Sequence, residues 1–411
     1  MKILHTADIH IGYDTHGRLD AKTGLNSRLL DFEKCFKYMV SVAIEEEVDL
    51  FLFCGDAYRD STPTPTEQRI FARALRPILD KQIPVVMLVG NHDNPGSFGK
   101  ANSIQIFPDL HGMVRLFTKP DVEDIQTKSG RLRIVGLPWA MRSNLFTKGE
   151  HADKKPEELK QLIYEAYSNF IDAEAERIRE QRLTYPAILA AHLHVQGAEV
   201  SEKSEVIFDT KDPLFAVSAL AKKEFSYVAL GHIHKHQDLN LGETPPVVYS
   251  GSIERVSFSE WKQPKGFVIV EIDHEKKASY RHIETPAREF VSIEVTVKSS
   301  DAPLEKVKEA IAKKNIQDAI VRVRIECASD QRKDLSQKDV KELLSGAWSI
   351  AEINIMSDEE VERRRATQIT RAMTTREALE KYILERPDLQ PIKDKLLAKA
   401  DEIEGEIEKI S

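Results

Sequence analysis

Five short stretches place groups able to bind metal or move protons beside aliphatic runs. Asp8 and His10 lie in "LHTADIH", Asp56 in "LFLFCGD", and Asn91, His92 and Asp93 in "VVMLVGNHD". His192 closes "AILAAH", while His232 and His234 end "YVALGHIH". One polar residue after an apolar run is a turn; Asn91, His92 and Asp93 in succession look like the lip of an active site. Nitrogen and oxygen donors without a thiolate suit manganese, iron or zinc and do not suit a sulfur cluster. The donors are too many for one ion. Two ions sharing a carboxylate would use them all, about 3.5–4 Å apart as in two-metal phosphoester cleavage. Asp56, alone at its strand end, is the natural bridge.

Each fragment alone is weak. A lone Asp-x-His at a strand end is more often a satisfied turn than a ligand pair, and Gly-Asp says almost nothing. The series is stronger because every member closes a strand signal, and ligands gather at the carboxyl ends of strands in α/β sheets. The spacing of two in Asp8-x-His10 and His232-x-His234 puts both side chains on one face of an extended backbone. Gly55, Gly90 and Gly231 sit where the chain must turn sharply. His194 shares a face with His192; His192 is preferred because it directly ends the apolar run, and His194 is left as a substrate contact. His5, His16, His111, His151, His236, His274 and His282 show no such placement and read as surface or core histidines.

The elements that must position these residues alternate up to about residue 235. "KILHTAD", "VDLFLFCGD", "PVVMLVGNHD", "RIVGLPW", "PAILAAH" and "YVALGH" have strand length and aliphatic content. Leu29, Phe32, Phe36, Met39 and Ala43 recur at helical spacing between the first two. "TPTEQRIFARALRPILDK" is a second helix, opening on threonine and proline. This alternation predicts an α/β domain with helices covering buried sheets. "PVVYSGS", "GFVIVEI" and "SYRHIET" read as its antiparallel extension. From "AREFVSIEVTV" to "IAEINIM" the pattern is strand, helix, strand, helix, strand, a second small α/β domain. The expected boundaries are 1–286, 287–356 and a charged helical segment, 357–411. In that segment Thr374 and Glu377 could form a capping box. Leu396, Ala400, Ile403, Ile407 and Ile410 make a narrow apolar stripe, suited to the chain's own body or to another protein.

A chain of 411 residues exceeds the usual ceiling for one core. With 41% hydrophobic and 31% charged residues it has the composition of an ordinary globular protein. A net charge of -8 provides no global field favouring nucleic acid, yet bound divalent cations would supply positive charge locally. Cys35, Cys54 and Cys327 are few, odd in number and without a C-x-x-C pair, which fits a reducing compartment. No apolar run approaches a membrane span, and "MKILHTADIH" leaves no room for a signal peptide. A cytoplasmic protein without membrane association is expected.

Taken in order, Asp-x-His, Gly-Asp, Gly-Asn-His-Asp, a lone histidine and Gly-His-x-His resemble the calcineurin-like metallophosphoesterase superfamily. "GDAYRDSTPTPTEQ" and "PVVYSGSIERVSFSEWKQPKGFVIVEI" further resemble the nuclease subunit of SbcCD-type DNA break-repair complexes, the meiotic recombination eleven family, with similarity over residues 1–285. The resemblance implies a β-sandwich of mixed sheets flanked by helices, a small α/β capping domain that binds DNA, and C-terminal helices that bind an ATPase. It implies that Asp8, His10, Asp56 and His234 hold one metal, and Asp56, Asn91, His192 and His232 the other. His92 would protonate the leaving oxygen, with Asp93 orienting its ring. Where some members carry a histidine three residues after the bridging aspartate, this chain has Arg59. A guanidinium could grip a phosphate oxygen there but could not exchange a proton at neutral pH.

The resulting expectation is a two-metal DNA nuclease using manganese, with hydroxide attacking phosphorus in line. The family implies 3′-to-5′ exonuclease action on double-stranded ends and endonuclease action on single strands or hairpins. It also implies a homodimer assembled with an SMC-like ATPase of the SbcC type. Two rivals share the ligand set or the fold: a phosphatase or cyclic-nucleotide phosphodiesterase, and a non-catalytic metal-binding scaffold. A stand-alone phosphatase has no need of residues beyond 286, and a closed structural site has no use for a free imidazole at His92. Arg142, Lys148, Lys154 and Lys155 could touch a DNA backbone but are more simply solvated loop charges.

Overall fold

The aliphatic runs form two six-stranded sheets. The structure is a computed structural model that describes residues 1–95, 100–140, 154–200, 213–361, 375–384, 386 and 389–410. The first sheet has the order β14 (Ala278–Glu284), β13 (Gly266–Ile272), β1 (Lys2–Thr6), β2 (Leu50–Phe53), β3 (Val85–Leu88), β4 (Val114–Phe117). Its strands β1 to β4 are parallel, and β13 and β14 add antiparallel at one edge. The second has the order β11 (Gln237–Asp238), β12 (Val247–Tyr249), β10 (Tyr227–Gly231), β7 (Ala187–His192), β6 (Gly130–Leu137), β5 (Asp121–Thr127). Here β12, β10, β7 and β6 are parallel, with antiparallel strands at both edges. A short pair, β8 (His194–Val195) and β9 (Leu214–Phe215), stands apart.

Strands buried on both faces explain the unbroken apolar runs. Ile3, Leu50, Leu52, Val86 and Leu88 face inward and meet Ile134, Ile188, Ala190 and Ala229 of the second sheet. Their neighbours Leu4, Phe51, Phe53 and Met87 face outward, where α1 (Ser27–Glu45) and α2 (Pro65–Asp80) cover them with Phe32, Phe36, Met39, Phe71 and Leu75. After the short α3 (Ile106–Leu110), the long α4 (Pro156–Glu180) covers the second sheet with Ile163, Tyr167 and Ile171. The unit is therefore an α/β sandwich of mixed sheets flanked by helices. Local signals start the helices where they are needed: Asn26 caps α1, and Thr64 with Glu67 closes a capping box on α2.

The chain divides into two compact units, Met1–Phe290 and Val291–Ser411. In the second unit, β15 (Phe290–Val297), β16 (Ile320–Cys327) and β17 (Ser349–Ser357) form a three-stranded sheet. With α6 (Pro303–Ala312) and α7 (Gln337–Leu343), which follow the short α5 (Val217–Leu220) of the first unit, they give the expected five-element order. Ile293, Val323 and Ile325 pack with Val307, Ile311 and Val340. Then come α8 (Thr375–Leu384) and α9 (Lys393–Ile410), with Ile383 and Leu397 buried. Thr374 and the side chains of Ile403, Ile407 and Ile410 lie outside the described residues, so the capping box and most of the stripe do too. Among the described residues no helix is long and apolar enough to cross a membrane.

Two local differences from the sequence reading have simple causes. β12 runs parallel to β10 rather than antiparallel, because β11 takes the antiparallel place and the chain reverses again before Val247. β4 and β5 give no strand signal in the sequence because they carry Arg115, Glu123 and Asp124 among their apolar residues.

The common direction of β1, β2, β3, β7 and β10 sends Asp8, Asp56, Asn91, His192 and His232 to one end of the sandwich. The sheets approach closely there: a Cβ on Gly231 would lie 2.1 Å from the Cys54 carbonyl oxygen. That neighbour is backbone and cannot step aside. Gly231→Ala should therefore destabilise the unit by about 1–3 kcal/mol, read as a lower urea midpoint; an unchanged midpoint would contradict this close packing.

Candidate metal centre

The loops leaving these strands adopt backbone shapes that ordinary residues avoid. Asp8, His10, Asp56 and His232 have φ of 53°, 52°, 63° and 100°. Such left-handed conformations persist only where surrounding structure imposes them, and they cluster at functional sites. Backbone bonds from Asp8 N–H to Gly55 O at 2.9 Å and from His10 N–H to Asp56 O at 3.1 Å impose two of them. The buried Asp93 carboxylate holds the Asp56 loop by accepting N–H groups of Asp56 at 2.8 Å, Gly90 at 2.9 Å and Ala57 at 3.0 Å. The Ser103 hydroxyl donates to the same carboxylate at 3.2 Å. Both Asp8 oxygens accept the His232 N–H at 3.0 Å, joining the first sheet's loop to the second's.

Three imidazoles are aimed by acceptors behind them. His10 Nδ1–H donates to Tyr58 O at 3.4 Å, His192 Nδ1–H to Cys54 O at 2.6 Å, and His234 Nδ1–H to Glu260 Oε1 at 2.8 Å. Carbonyl and carboxylate oxygens only accept, so each bond fixes Nδ1 as the donor and turns Nε2 toward the centre. There, His10 Nε2 and His234 Nε2 stand 2.9 Å apart. Asn91 Oδ1 lies 3.0 Å from His192 Nε2 and 3.2 Å from His232 Nδ1. One oxygen, Asp56 Oδ2, is 3.6 Å from His10 Nε2 and 3.5 Å from His192 Nε2.

The donors thus fall into two halves with Asp56 between them. Three overlapping triads each keep their donor atoms within 4.8 Å: Asp8, His10 and His234; His10, Asp56 and His92; Asp8, Asp56 and His192. Asp8 reaches both halves as well, a second carboxylate near the middle.

Burial decides the electrostatics. It pushes the Asp8 carboxyl up to about 6, with His234 and His192 pulling against it. Burial opposes charge on His192, but Asp56, joined by Asp8 and the Cys54 carbonyl, outweighs it and raises the imidazole to about 9. Burial is likewise outweighed at His234, which Glu260 raises to about 8. His10 and His232 stay well below the ordinary imidazole value, through burial and then through His234 and His192 respectively. Burial would raise Asp56, yet His192 and His92 hold it well below the usual carboxylate range. Positive charge is drawn into the centre beside two buried carboxylates. Convergent imidazole nitrogens and carboxylate oxygens with no thiolate among them fit divalent cations, which would displace the shared protons.

The remaining sequence candidates are placed unevenly. His92 sits at the rim: its N–H donates to Asp56 Oδ1 at 2.9 Å, and its ring meets His10 edge-on at 4.8 Å. Its Nδ1–H donates to the Arg59 carbonyl at 2.6 Å. The expected orientation of that ring by Asp93 is not what the structure shows, because backbone donors and Ser103 occupy the Asp93 oxygens. The Arg59 guanidinium is also directed elsewhere, donating to Gly12 O at 3.4 Å and Asp14 Oδ1 at 3.3 Å. What Arg59 gives the centre is its carbonyl. His194 is half-buried, with its ring 5.9 Å from that of His232. Lys154 pairs with Glu158 at 3.8 Å, and Arg142 and Lys148 lie outside the described residues.

Two contributors went unassigned from the sequence. Glu260 stands behind His234 inside "SIERVSFSEWKQPKG", a stretch noted for its resemblance but with no strand end to mark the residue. Trp139 follows β6 and lies 4.9 Å from the His232 ring and 5.9 Å from the His192 ring. An aromatic after an apolar run reads as core, and only folding brings it to the histidines.

Strained loops, paired carboxylates and converging imidazoles at the strand ends define a metal-dependent phosphoesterase. Residues 1–236 match the calcineurin-like phosphoesterase family, and the chain belongs to it. Its relatives include the SbcD component of the nuclease SbcCD from Bacillus subtilis (strain 168), 26% identical and covering 69% of this chain and 69% of that protein. The SbcD component from Staphylococcus saprophyticus is 28% identical, covering 67% of each chain, and that from Staphylococcus epidermidis is 27% identical, covering 72% of each.

Asp93→Asn puts an amide NH2 where the carboxylate now meets only donors. It should destabilise the protein by about 1–3 kcal/mol and weaken metal binding by loosening Asp56. Urea denaturation with and without manganese checks this; wild-type values in both would contradict the clamp.

Proposed function

We propose that the chain is a two-metal DNA nuclease that uses manganese. The observation that carries this reading is the single Asp56 oxygen placed 3.6 Å and 3.5 Å from imidazole nitrogens of opposite halves. Asp8, His10, Asp56 and His234 would hold one ion, and Asp56, Asn91, His192 and His232 the other. Bound there, divalent ions supply Lewis-acid neutralisation of phosphate charge and lower the pKa of water. The chain's own residues supply position and a proton. The Asp93 clamp and the bonds behind His10, His192 and His234 keep the donors in place without reorganisation during reaction. His92, anchored through Nδ1–H on the Arg59 carbonyl, would, as the imidazolium, carry a second proton on Nε2 and give it to the departing sugar oxygen, returning to the neutral ring.

Nuclease activity is supported by the names of the sequence relatives, and DNA as the substrate follows the family resemblance. The expected actions, 3′-to-5′ exonuclease on double-stranded ends and endonuclease on single strands and hairpins, are those the family resemblance implies. Residues 287–356 would cap the site and contact DNA. Residues 357–411 would dock an SbcC-type ATPase, in a cytoplasmic assembly built on a homodimer.

His92→Ala should lower cleavage by about 10²–10⁴-fold while leaving manganese content unchanged. Asp56→Ala should lose both manganese and cleavage. Nuclease assays on duplex ends and hairpins, paired with metal analysis of the same samples, decide the matter; wild-type cleavage by either variant would defeat the assignment. In the C-terminal segment, Leu396→Asp should abolish capture of the ATPase with nuclease activity retained. Retained capture would remove that helix from the interface.

A further inference from the structure

Behind His234 lies a buried chain of charge that the proposed reaction does not itself use. Glu260 and Lys265 are both buried, at 0% and 2% exposure. Glu260 Oε1 accepts His234 Nδ1–H at 2.8 Å. The other oxygen, Oε2, lies 2.8 Å from Lys265 Nζ and accepts the Val256 N–H at 3.0 Å. Lys265 Nζ also donates to the His234 carbonyl at 3.1 Å, to Ser252 Oγ at 2.9 Å and to Gln263 Oε1 at 3.0 Å. The ammonium therefore grips the backbone of His234 and the carboxylate behind its ring together. Glu260 is presented by a short turn, Phe258–Glu260, capped by the Ser257 side chain.

We infer that Glu260, fixed by Lys265, is a positioning residue that sets the His234 tautomer with Nε2 bare, so that one half of the centre can ligate a metal ion. His10 and His192 rest on backbone carbonyls, which no side-chain substitution removes. Of the three so aimed, His234 alone relies on a side chain, and it depends on that side chain being a carboxylate. Both donors facing Oε2 require an oxygen there. An amide at position 260 would keep its carbonyl on that side and turn its NH2 toward His234 Nδ1. Nδ1 would then have to accept, and the ring proton would move to Nε2, the atom 2.9 Å from His10 Nε2. A nitrogen that carries a proton offers no lone pair to a cation. Glu260→Gln, nearly identical in shape, thus separates the charge and tautomer role from mere packing.

This inference rests on the proposed metal-binding reading, and calorimetric titration of the full chain with Mn2+ keeps the two distinguishable. Wild type that takes up no manganese overturns that reading and this inference with it. Given wild-type uptake, Glu260→Gln should bind about 10–100-fold more weakly in one of the two halves, while its melting temperature in chelator stays close to wild type. Wild-type affinity in Glu260→Gln overturns the positioning role alone. Should that variant fail to fold, histidine 15N shifts of Zn2+-loaded wild type decide instead. A protonated Nδ1 and a zinc-bound Nε2 at His234 support the inference, and zinc on Nδ1 overturns it.

Discussion

At one end of the sandwich a carboxylate oxygen of Asp56 is held between imidazole nitrogens that arrive from different sheets. Taken out of water, such a group is costly unless paired, and its closeness to the His10 and His192 rings draws positive charge into the centre. The rest of the first unit can be understood as the apparatus that maintains this arrangement. Strained loops at Asp8, His10, Asp56 and His232 bring the donors inward. Asp93 accepts backbone amides of Asp56, Ala57 and Gly90 and the Ser103 hydroxyl, and Asp8 fastens the loop of the opposite sheet.

The sandwich makes such precision available. Parallel strands in both sheets send their carboxyl ends to the same side, and the two inward faces form an apolar, closely packed layer beneath the candidate ligands. Rigid strands set Cα positions, while the loops they launch are short enough to transmit that rigidity. Gly231 and Gly90 mark where the packing reaches its limit: a Cβ on Gly90 would lie 2.1 Å from Asp56 Oδ1. Core and chemistry are in direct contact there, so substitutions meant to probe one will disturb the other.

Much of this was legible in the sequence because strand ends announce themselves. An aliphatic run closing on aspartate, asparagine or histidine, in three cases after a glycine, is a local pattern, and all seven candidate ligands lie at such run ends. The helix stripe of α1 and the five-element order of the second unit were equally local. What was hidden depends on separation along the chain. Nothing near Glu260 says that it will stand behind His234, and nothing near Trp139 says that it will reach His192 and His232. Asp93 was assigned to its sequence neighbour, His92, whereas folding gave its oxygens to backbone amides of a loop 36 and 37 residues earlier. Arg59 was judged by its guanidinium, yet its carbonyl is the part that faces the site. Neighbours in sequence suggest partnerships that only tertiary structure can grant, and backbone groups carry no signal in a list of residue types.

Diffraction at the manganese absorption edge from metal-soaked crystals addresses the central proposition most directly. The account predicts two anomalous peaks with the Asp56 carboxylate between them, one contacted by His10 and His234 and the other by His192 and Asn91. A single peak, or a pair that Asp56 does not bridge, would contradict it.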